Sequence, residues 1–513
     1  MKSQAKIEFG DFQTPLALAQ DVCSLLKRLK VSPEFVVEPT VGKGAFLLAA
    51  AEAFPEAELH GWDINPSYIL EAEASLARLD ASSRTRLAVE NFFNYDWETA
   101  LSFHAGILLI LGNPPWVTNA GVSAVNGTNL PVKENFQGLR GIAARTGKAN
   151  FDISEWMLIR LLRALEHRQA TLALLVKTAA ARKFLRYAWQ NDGRIANAAL
   201  YRIDAAAHFG AAVDACLLVL RTGTIGPREA DVYSSLTALT PTVRIGVVGK
   251  DMVSDLDAYH QLRAFEGFCN YRWRSGIKHD CAAIMELRGG ADGYLENGLG
   301  ERLHLEDEFV FPLLKCSDLA NSRTTPQRSV IVTQRFVGDH TSSIADKAPR
   351  TWNYLQSHAS RFSARKSSIY KATVPFALFG IGPYAFAPWK VAVSGLHASA
   401  CFHAIPPVDG RPVFFDDTCY YLSFQTENEA VLVAKILNSD ICQRFIASLV
   451  FTDAKRSITV DLLQRLDLSA LASATGMGPE WQMSQSSYGA PSEPAQLSLL
   501  IEEHGVYRKS PPK

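Results

Sequence analysis

Short apolar segments of strand type alternate with amphipathic helical segments along the first 222 residues, and this alternation restricts the possible folds more than any other feature. The candidate strands are Phe35–Glu38, Glu58–Asp63, Arg86–Asn91, Ile107–Leu111, Thr171–Lys177, Ala198–Ile203 and Ala215–Arg221. The clearest helical segments are Pro15–Lys30, Gly44–Phe54 and Ser67–Leu79. The pattern predicts an α/β fold with a seven-stranded, mostly parallel sheet covered on both faces, and an antiparallel hairpin formed by its last two strands.

The character of the sequence changes after Thr222, where Pro227, Pro241 and several Ser and Thr residues indicate a boundary. A chain of 513 residues is too long for one ordinary domain. We expect a first domain over residues 1–240, a mixed, β-rich second domain over residues 241–470, and a tail over residues 471–513. Residues 119–150 are rich in Gly, Asn and Thr and predict a long loop of the kind that is usually functional.

Composition and cysteine placement exclude several classes of protein. The chain is 48% apolar and 20% charged, as in a soluble globular protein. Its apolar runs are far shorter than the roughly 20 residues of a membrane helix, and no signal peptide opens it. The eight cysteines are scattered without a CxxC pair, which argues against a zinc site or a disulfide scaffold. We therefore expect a cytoplasmic protein that binds no metal and no membrane.

Two motifs predict a nucleoside site at the ends of the first two strands. Gly42 and Gly44 follow a strand and open a helix, so the backbone can approach a ligand and the helix offers free N–H groups. Asp63 closes the next strand, 21 residues after Gly42, where an acidic residue accepts hydrogen bonds from ribose hydroxyls. Alone, the glycines also fit a tight turn, and Asp63 also fits a helix cap before Pro66. Together the two motifs favour cofactor binding.

A third motif, Asn113-Pro114-Pro115-Trp116, directly follows the apolar strand Ile107–Leu111. The two prolines stiffen the backbone and remove two N–H donors, so that carbonyl oxygens face a ligand without competing donors. The side-chain oxygen of Asn113 and the carbonyl of Pro114 can accept both hydrogens of an exocyclic amine, and Trp116 offers a flat face for stacking. The motif alone fits an ordinary turn, but its place after the glycine loop and Asp63 favours an amine-modifying site.

In these motifs the chain resembles the class I S-adenosylmethionine-dependent methyltransferases, specifically the gamma class of amino-methylating DNA enzymes, over about residues 8–222. The resemblance implies a Rossmann-like domain, S-adenosylmethionine as methyl donor, double-stranded DNA as partner and adenine N6 as target. It implies catalytic roles for Asn113, Pro114, Pro115 and Trp116. The cofactor-binding residues that it implies are Thr14, Pro15, Glu38, Pro39, Thr40, Gly42, Gly44, Asp63, Ile64, Asn91, Phe92 and Asn113.

Two positions need comment within this resemblance. Asn91 stands where the family usually carries Asp, so that a neutral amide oxygen would accept the hydrogen bond of the cofactor's adenine. Phe209, in His208-Phe209-Gly210, resembles the aromatic residue that stacks on the second face of a flipped-out target base, opposite Trp116. A core phenylalanine is the other interpretation of Phe209.

The second half resembles the target-recognition regions of restriction-modification adenine methyltransferases. The whole chain has no net charge, but residues 321–371 carry nine Lys or Arg residues against two acidic ones. Such residues suit phosphates and guanine edges, although each cluster alone also fits a solvated surface. The DNA-binding candidates are Arg274, Lys278, Lys315, Arg365, Lys366, Lys371, Lys455 and Arg456.

Other functions stay open at this stage. Protein glutamine-N5 methyltransferases use a very similar motif but look much shorter, and RNA adenine-N6 methylation is less favoured because no RNA-binding module is recognisable. A non-catalytic DNA-specificity subunit would not need intact motifs, and cytosine N4 is the other target amine. We expect a monomeric bacterial enzyme on the nucleoid that protects host DNA in a restriction-modification system, with a cognate endonuclease acting separately.

Overall fold

The computed structural model describes residues 12–102, 106–117, 152–289, 293–371, 373–397, 399–453 and 456–486. Lys455 and the segment 119–150 lie outside the described residues. The chain divides into two compact units, a first unit of Met1–Asp257 and a second unit of Ala258–Lys513. None of the helices in the described ranges combines the length and the apolar character that crossing a membrane requires.

The first unit is built on one sheet. Its strands are β1 (Phe35–Glu38), β2 (Glu58–Asp63), β3 (Thr85–Val89), β4 (Leu108–Gly112), β5 (Ala170–Lys177), β6 (Ile195–Ile203), β7 (Ala215–Thr222), β8 (Glu229–Tyr233), β9 (Val243–Val248) and β10 (Asp251–Val253). Their order in the sheet is β10-β9-β8-β6-β7-β5-β4-β1-β2-β3. Strands β1 to β5 pair in parallel, and β7 runs antiparallel to β5 and β6. The expected Rossmann-like α/β fold with a reversed late hairpin is confirmed.

The sheet has ten strands instead of the expected seven. Strand β8 pairs in parallel with β6, and β9 and β10 follow by antiparallel pairing. The sequence hides these strands because they are short and only partly buried: alternate residues of β8 are half-buried, and β9 begins with the half-buried pair Val243-Arg244. Pro227 and Pro241 therefore lie in connections that precede strands of this sheet, and the sheet continues beyond residue 240.

Helices flank the sheet of the first unit and lie at α1 (Leu16–Arg28), α2 (Ala45–Ala53), α3 (Pro66–Ala77), α4 (Trp97–Ser102), α5 (Ile153–Ala164), α6 (Thr178–Gln190) and α7 (Ala205–Phe209), with a 3-10 turn at Ser82–Arg84. Leu18 and Leu26 of α1 and Phe46 of α2 are fully buried in one core with residues of β1 and β4. Each such side chain stabilises the fold by about 1.5–3 kcal/mol. This packing fixes the loop between β1 and α2 at the carboxyl edge of the sheet.

The second unit contains two smaller, mostly antiparallel sheets, in agreement with the expected mixed, β-rich character. One has the order β11 (Arg274–Ser275), β20 (Cys419–Phe424), β17 (Trp389–Ser394) and β18 (His403–Ile405). The other has the order β14 (Arg302–Leu303), β13 (Leu295–Glu296), β12 (Glu286–Gly289), β16 (Arg328–Ile331), β15 (Val310–Leu314) and β19 (Phe414–Phe415).

The remaining helices are α8 (Leu256–Leu262), α9 (Ala282–Met285), α10 (Cys316–Ala320), α11 (Ile344–Lys347), α12 (Pro349–Ser357), α13 (Ala359–Ser363), α14 (Glu427–Leu437), α15 (Asp440–Leu449), α16 (Val460–Gln464), α17 (Leu468–Ala474) and α18 (Gly478–Ser486). Further 3-10 turns lie at Arg263–Phe265, Asp307–Phe309, Thr341–Ser343, Ser368–Tyr370 and Pro383–Phe386. The expected tail after residue 470 therefore begins with helical structure, and the residues from 487 onward lie outside the described part.

Candidate active site

A cavity of about 500 Å³ lies in the first unit, beside the carboxyl ends of β1, β2 and β4. Ten of the predicted cofactor-binding residues line it: Thr14, Glu38, Pro39, Thr40, Gly42, Asp63, Ile64, Asn91, Phe92 and Asn113. Pro15 and Gly44 do not; they are the residues that precede α1 and α2. Of the predicted catalytic residues, Asn113 and Pro115 line the cavity, whereas Pro114 and Trp116 do not.

The lining includes residues that the sequence motifs did not single out. Phe12 and Gln13 directly precede the predicted residues Thr14 and Pro15, and Phe46 lies two residues after Gly44. Tyr68 comes from the first turn of α3, and Met157 comes from α5, more than forty residues after the catalytic motif. No sequence signal marks Met157, because only the packing of α5 brings it to the cavity.

Three acidic side chains line the cavity. They are Glu38, Asp63 and Glu90, and the described lining contains no Lys, Arg or His. An acidic, partly apolar cavity favours a ligand that carries positive charge, because opposite charges attract more strongly away from bulk water.

The carboxylate of Asp63 joins the glycine loop to β2. Gly42, at φ +53°, donates its backbone N–H to Oδ2 of Asp63 at 2.8 Å, and the N–H of Asn65 donates to Oδ1 at 2.8 Å. The helix cap of α3 is Asn65, whose side chain accepts from the N–H of Ser67 at 3.0 Å. Asp63 is therefore not that cap.

Glu38 ends β1 beneath the cavity and is only 2% exposed. Its burial raises the pKa of the carboxyl well above the ordinary value, the Asp63 carboxylate adds to that increase, and a backbone hydrogen bond from Leu47 opposes it. No described residue donates a hydrogen bond to its Oε2 atom, which is buried. A buried acceptor without a donor is unfavourable alone and suited to a ligand that donates.

The side-chain nitrogen of Asn113 makes hydrogen bonds, whereas its side-chain oxygen receives none from a described residue. Its Nδ2 donates to the backbone oxygen of Phe12 at 3.1 Å and lies 3.3 Å from Oγ1 of Thr14. Its Oδ1 is buried, and no described residue donates to it. The open acceptor is the atom that the sequence motif assigns to the target amine.

Trp116 lies in the core of the first unit and is 5% exposed. Its indole Nε1 donates to the backbone oxygen of Leu175 at 3.1 Å. Its ring contacts Phe209 and Phe12, with centroids 5.0 and 5.8 Å away. The structure thus brings together the two residues predicted to stack on a target base, with their rings in direct edge contact.

Asn91 and Phe92 both line the cavity, as expected for contacts with the cofactor's adenine, but the hydrogen bonding of Asn91 differs from the expected one. Oδ1 of Asn91 accepts the backbone N–H of Phe93 at 3.0 Å, so one lone pair of the expected acceptor is used by the loop. Phe92 is buried against Trp97, with ring centroids 4.8 Å apart, and still lines the cavity.

Three of the predicted DNA-binding residues lie close together in the second unit although they are far apart in sequence. Nζ of Lys278 lies 3.7 Å from both Asp280 and Asp417, and Nη2 of Arg456 lies 3.9 Å from Asp417. Arg365 donates to the backbone oxygen of His279 at 3.2 Å, beside Lys278. Lys278, Arg365 and Arg456 therefore lie in one region of the second unit.

Three of the predicted DNA-binding residues make side-chain contacts with other residues of the second unit. Lys315 donates to both carboxylate oxygens of Glu286 at 2.7 Å, and Arg365 stacks on Tyr370, 3.6 Å from its ring centroid. Arg274 lies over the ring of Tyr384 at 4.3 Å. Lys366 and Lys371 are exposed, and no carboxylate of a described residue pairs with either of them.

Comparison with known proteins identifies relatives of this chain. No family model matches it. It is 40% identical over 473 residues to the type II methyltransferase M.NspV of Nostoc sp., covering 91% of this chain and 98% of that relative. It is also 33% identical over 108 residues to the type II methyltransferase M.XamI of Xanthomonas campestris pv. amaranthicola, covering 21% of this chain and 20% of the relative.

Among solved structures, the fold is similar to that of the type IIL restriction-modification enzyme MmeI in complex with DNA. The TM-score is 0.56 at 11% identity, over 96% of this chain and 73% of that one. This similarity concerns the fold alone, whereas the identity to M.NspV extends over nearly the full length of both chains. The chain therefore belongs to the family of type II methyltransferases.

Proposed function

We propose that this chain transfers a methyl group from S-adenosylmethionine to N6 of an adenine within a specific sequence of double-stranded DNA. The observation that carries the proposal is the buried Oδ1 of Asn113, which accepts no hydrogen bond from a described residue and belongs to a cavity-lining side chain. An exocyclic amine supplies the donor that this oxygen lacks. M.NspV and M.XamI, the two relatives of this chain, are named type II methyltransferases, and this agrees with DNA as the substrate.

The described residues fit S-adenosylmethionine, which supplies an activated methyl group when bound. The cofactor carries positive charge, and the cavity presents Glu38 and Asp63 without a described base in its lining. Asp63 would accept the ribose hydroxyls, and Glu38 would accept from the charged amino acid end. The volume of about 500 Å³ falls within the usual range for small-molecule sites.

The target amine is a poor nucleophile, because its lone pair is delocalised into the ring. Acceptance of its two hydrogens by Oδ1 of Asn113 and the carbonyl of Pro114 would favour a pyramidal nitrogen with the lone pair directed outward. Methyl transfer then needs no covalent enzyme intermediate, and positioning and electrostatics supply most of the rate enhancement. The base must leave the duplex to reach the site, at a free-energy cost of a few kcal/mol.

We assign methyl transfer to the first domain and reading of the DNA sequence to the second. Lys278, Arg365 and Arg456 lie close together near Asp417, which supports this assignment because Lys and Arg side chains contact DNA phosphates. Exposed Lys366 and Lys371 are the residues most available to phosphates. We further propose that the chain acts as a monomer, alongside a separate endonuclease.

Single-molecule sequencing of DNA from a methylation-free host that expresses the chain tests the proposal. We expect N6-methyladenine at one short recurring sequence, and none with the Asn113→Ala variant. Purified Asn113→Ala should still bind S-adenosylmethionine. N4-methylcytosine instead would overturn the choice of base. The absence of any modified base, with cofactor binding intact in the wild-type protein, would overturn DNA as the substrate and point to protein or RNA.

A further inference from the structure

We infer that the segment Phe12–Thr14 orients the amide of Asn113, so that its oxygen and not its nitrogen faces the substrate amine. The inference rests on the proposed function, in which Oδ1 of Asn113 accepts a hydrogen from that amine. It gives Thr14 a positioning role that is separate from contact with the cofactor.

An asparagine amide is nearly symmetric in shape, and a half-turn about its last bond exchanges the acceptor and the donor. With the nitrogen turned inward, two N–H groups would face the N–H groups of the target amine. The active orientation therefore needs a contact that distinguishes oxygen from nitrogen at the other end of the amide.

The backbone oxygen of Phe12 provides that distinction. It lies 3.1 Å from Nδ2 of Asn113 and, as a carbonyl oxygen, can only accept. Oγ1 of Thr14, at 3.3 Å, is available for the second hydrogen of the same nitrogen. A reversed amide would place its oxygen against the Phe12 carbonyl and lose a hydrogen bond, so the observed orientation is the stable one.

The orienting segment is itself anchored to the glycine loop. Oε1 of Gln13 accepts the backbone N–H of Lys43 at 3.0 Å, and a Cβ atom added at Gly42 would lie 2.8 Å from that same oxygen. Pro15 then directly precedes α1, and its carbonyl accepts from the backbone N–H of Ala19 at 3.2 Å. One short segment thus contacts both the predicted cofactor loop and the predicted catalytic amide.

The variants Thr14→Val and Thr14→Ser test the inference. Valine keeps the shape of threonine but removes the acceptor, whereas serine keeps the hydroxyl. We expect Thr14→Val to lower the single-turnover rate at saturating S-adenosylmethionine by roughly tenfold, which is the size expected for one lost buried hydrogen bond. Saturation with the cofactor separates this effect from any change in cofactor Kd. Thr14→Ser should restore most of the rate.

A binding readout separates orientation from general damage. Two unmethylated DNAs carry the recognised sequence, one with the target adenine and one with purine, which lacks the 6-amino group, at the same position. The affinity of each protein for both DNAs is measured with S-adenosylhomocysteine present. The ratio of adenine affinity to purine affinity should be lower for Thr14→Val than for the wild-type protein and unchanged for Thr14→Ser, because the cost of flipping each base is the same in all three proteins. A weaker cofactor Kd with an intact saturated rate and an unchanged affinity ratio in Thr14→Val would overturn the inference. If the wild-type protein methylates no DNA amine, the proposed function itself has failed.

Discussion

The backbone N–H of Gly42 donates a 2.8 Å hydrogen bond to Oδ2 of Asp63, 21 positions further along the chain. Oδ1 of the same carboxylate accepts from Asn65 at 2.8 Å. Asp63 therefore holds the glycine loop in place from the end of the neighbouring strand. This structural role and the proposed contact with the cofactor ribose can be separated by substitution.

Asp63→Asn should weaken S-adenosylmethionine binding by about 10- to 100-fold, because charge-assisted hydrogen bonds contribute roughly 1.5–3 kcal/mol. Asp63→Ala should also lower the melting temperature, since Gly42 and Asn65 would lose their acceptor. Isothermal titration calorimetry and thermal unfolding measure the two effects. Glu73→Ala, which removes an exposed acid from α3, is the matched control. Equal cofactor affinity in Asp63→Asn and wild-type protein would rule out the ribose contact.

Glu38 should make the stability of the ligand-free protein depend on pH. Its pKa is raised above the ordinary 4.5 by burial and by Asp63, so the folded protein retains a proton that the unfolded chain releases. Its stabilising contribution is therefore complete below about pH 4.5 and is lost as the pH rises toward the folded pKa, at up to about 1.4 kcal/mol per pH unit. Glu38→Gln cannot titrate, so its free energy of unfolding relative to wild type should increase from pH 5 to pH 8. Parallel pH profiles of the two proteins would contradict this prediction.

The same carboxyl should release a proton when the positively charged cofactor binds, because a nearby positive charge favours the ionised form. Calorimetric titrations of S-adenosylmethionine in buffers with different ionisation enthalpies count the protons released. Wild-type protein should show proton release on binding, and Glu38→Gln should show less release and weaker binding. If both proteins release the same number of protons, another group is responsible.

The sequence predicted the strands of the first unit well where burial imposes a simple pattern. Strand β4 is buried along its whole length and was expected one residue early, whereas β6 begins three residues before its expected start. The reason lies at Asn197, which has φ +51° and interrupts the pairing with β7 between Ala196 and Ala199. Such a bulge breaks the alternation from which a strand is predicted.

The sequence motifs identify individual residues of the site, but they do not predict the hydrogen bonds between those residues. No sequence pattern indicates that Phe12 and Thr14 contact Asn113, because the chain between them must fold first. The basic residues of the second unit show the same limit. Arg365 and Lys366 are adjacent in sequence, yet one stacks on Tyr370 while the other is exposed.

Removal of exposed lysines and removal of a lysine that pairs with a carboxylate of the fold should therefore have different effects. Lys366→Ala and Lys371→Ala together should weaken DNA binding and reduce the slope of log K against log salt concentration by about 0.9 for each phosphate that the variant no longer neutralises. Lys315→Met should instead lower the free energy of unfolding, because it leaves Glu286 without its 2.7 Å partner. Fluorescence anisotropy over a range of salt concentrations and urea unfolding measure the two effects. Lys435→Ala, at an exposed lysine of α14, is the control. An unchanged salt slope in the double variant would remove these two lysines from the DNA surface.

Trp116 and Phe209 are expected to respond differently to truncation. Trp116 is buried and bonded to the Leu175 carbonyl, so Trp116→Ala should lower the free energy of unfolding by about 3–5 kcal/mol. Phe209 is only half-buried, and Phe209→Ala should lower stability much less. Their rings are in contact, so the proposed stacking of a base between them requires the two rings to separate.

Base stacking should then be lost in Phe209→Ala without loss of the fold. A flipped 2-aminopurine at the target position reports unstacking from the duplex by its fluorescence, and loss of one stacking face should weaken its binding by about 1–3 kcal/mol. Phe209→Tyr keeps an aromatic face and should retain most of that binding. Equal fluorescence and equal affinity in wild-type, Phe209→Ala and Phe209→Tyr proteins would show that Phe209 only packs against Trp116, because a core role alone would change stability and not the environment of the base.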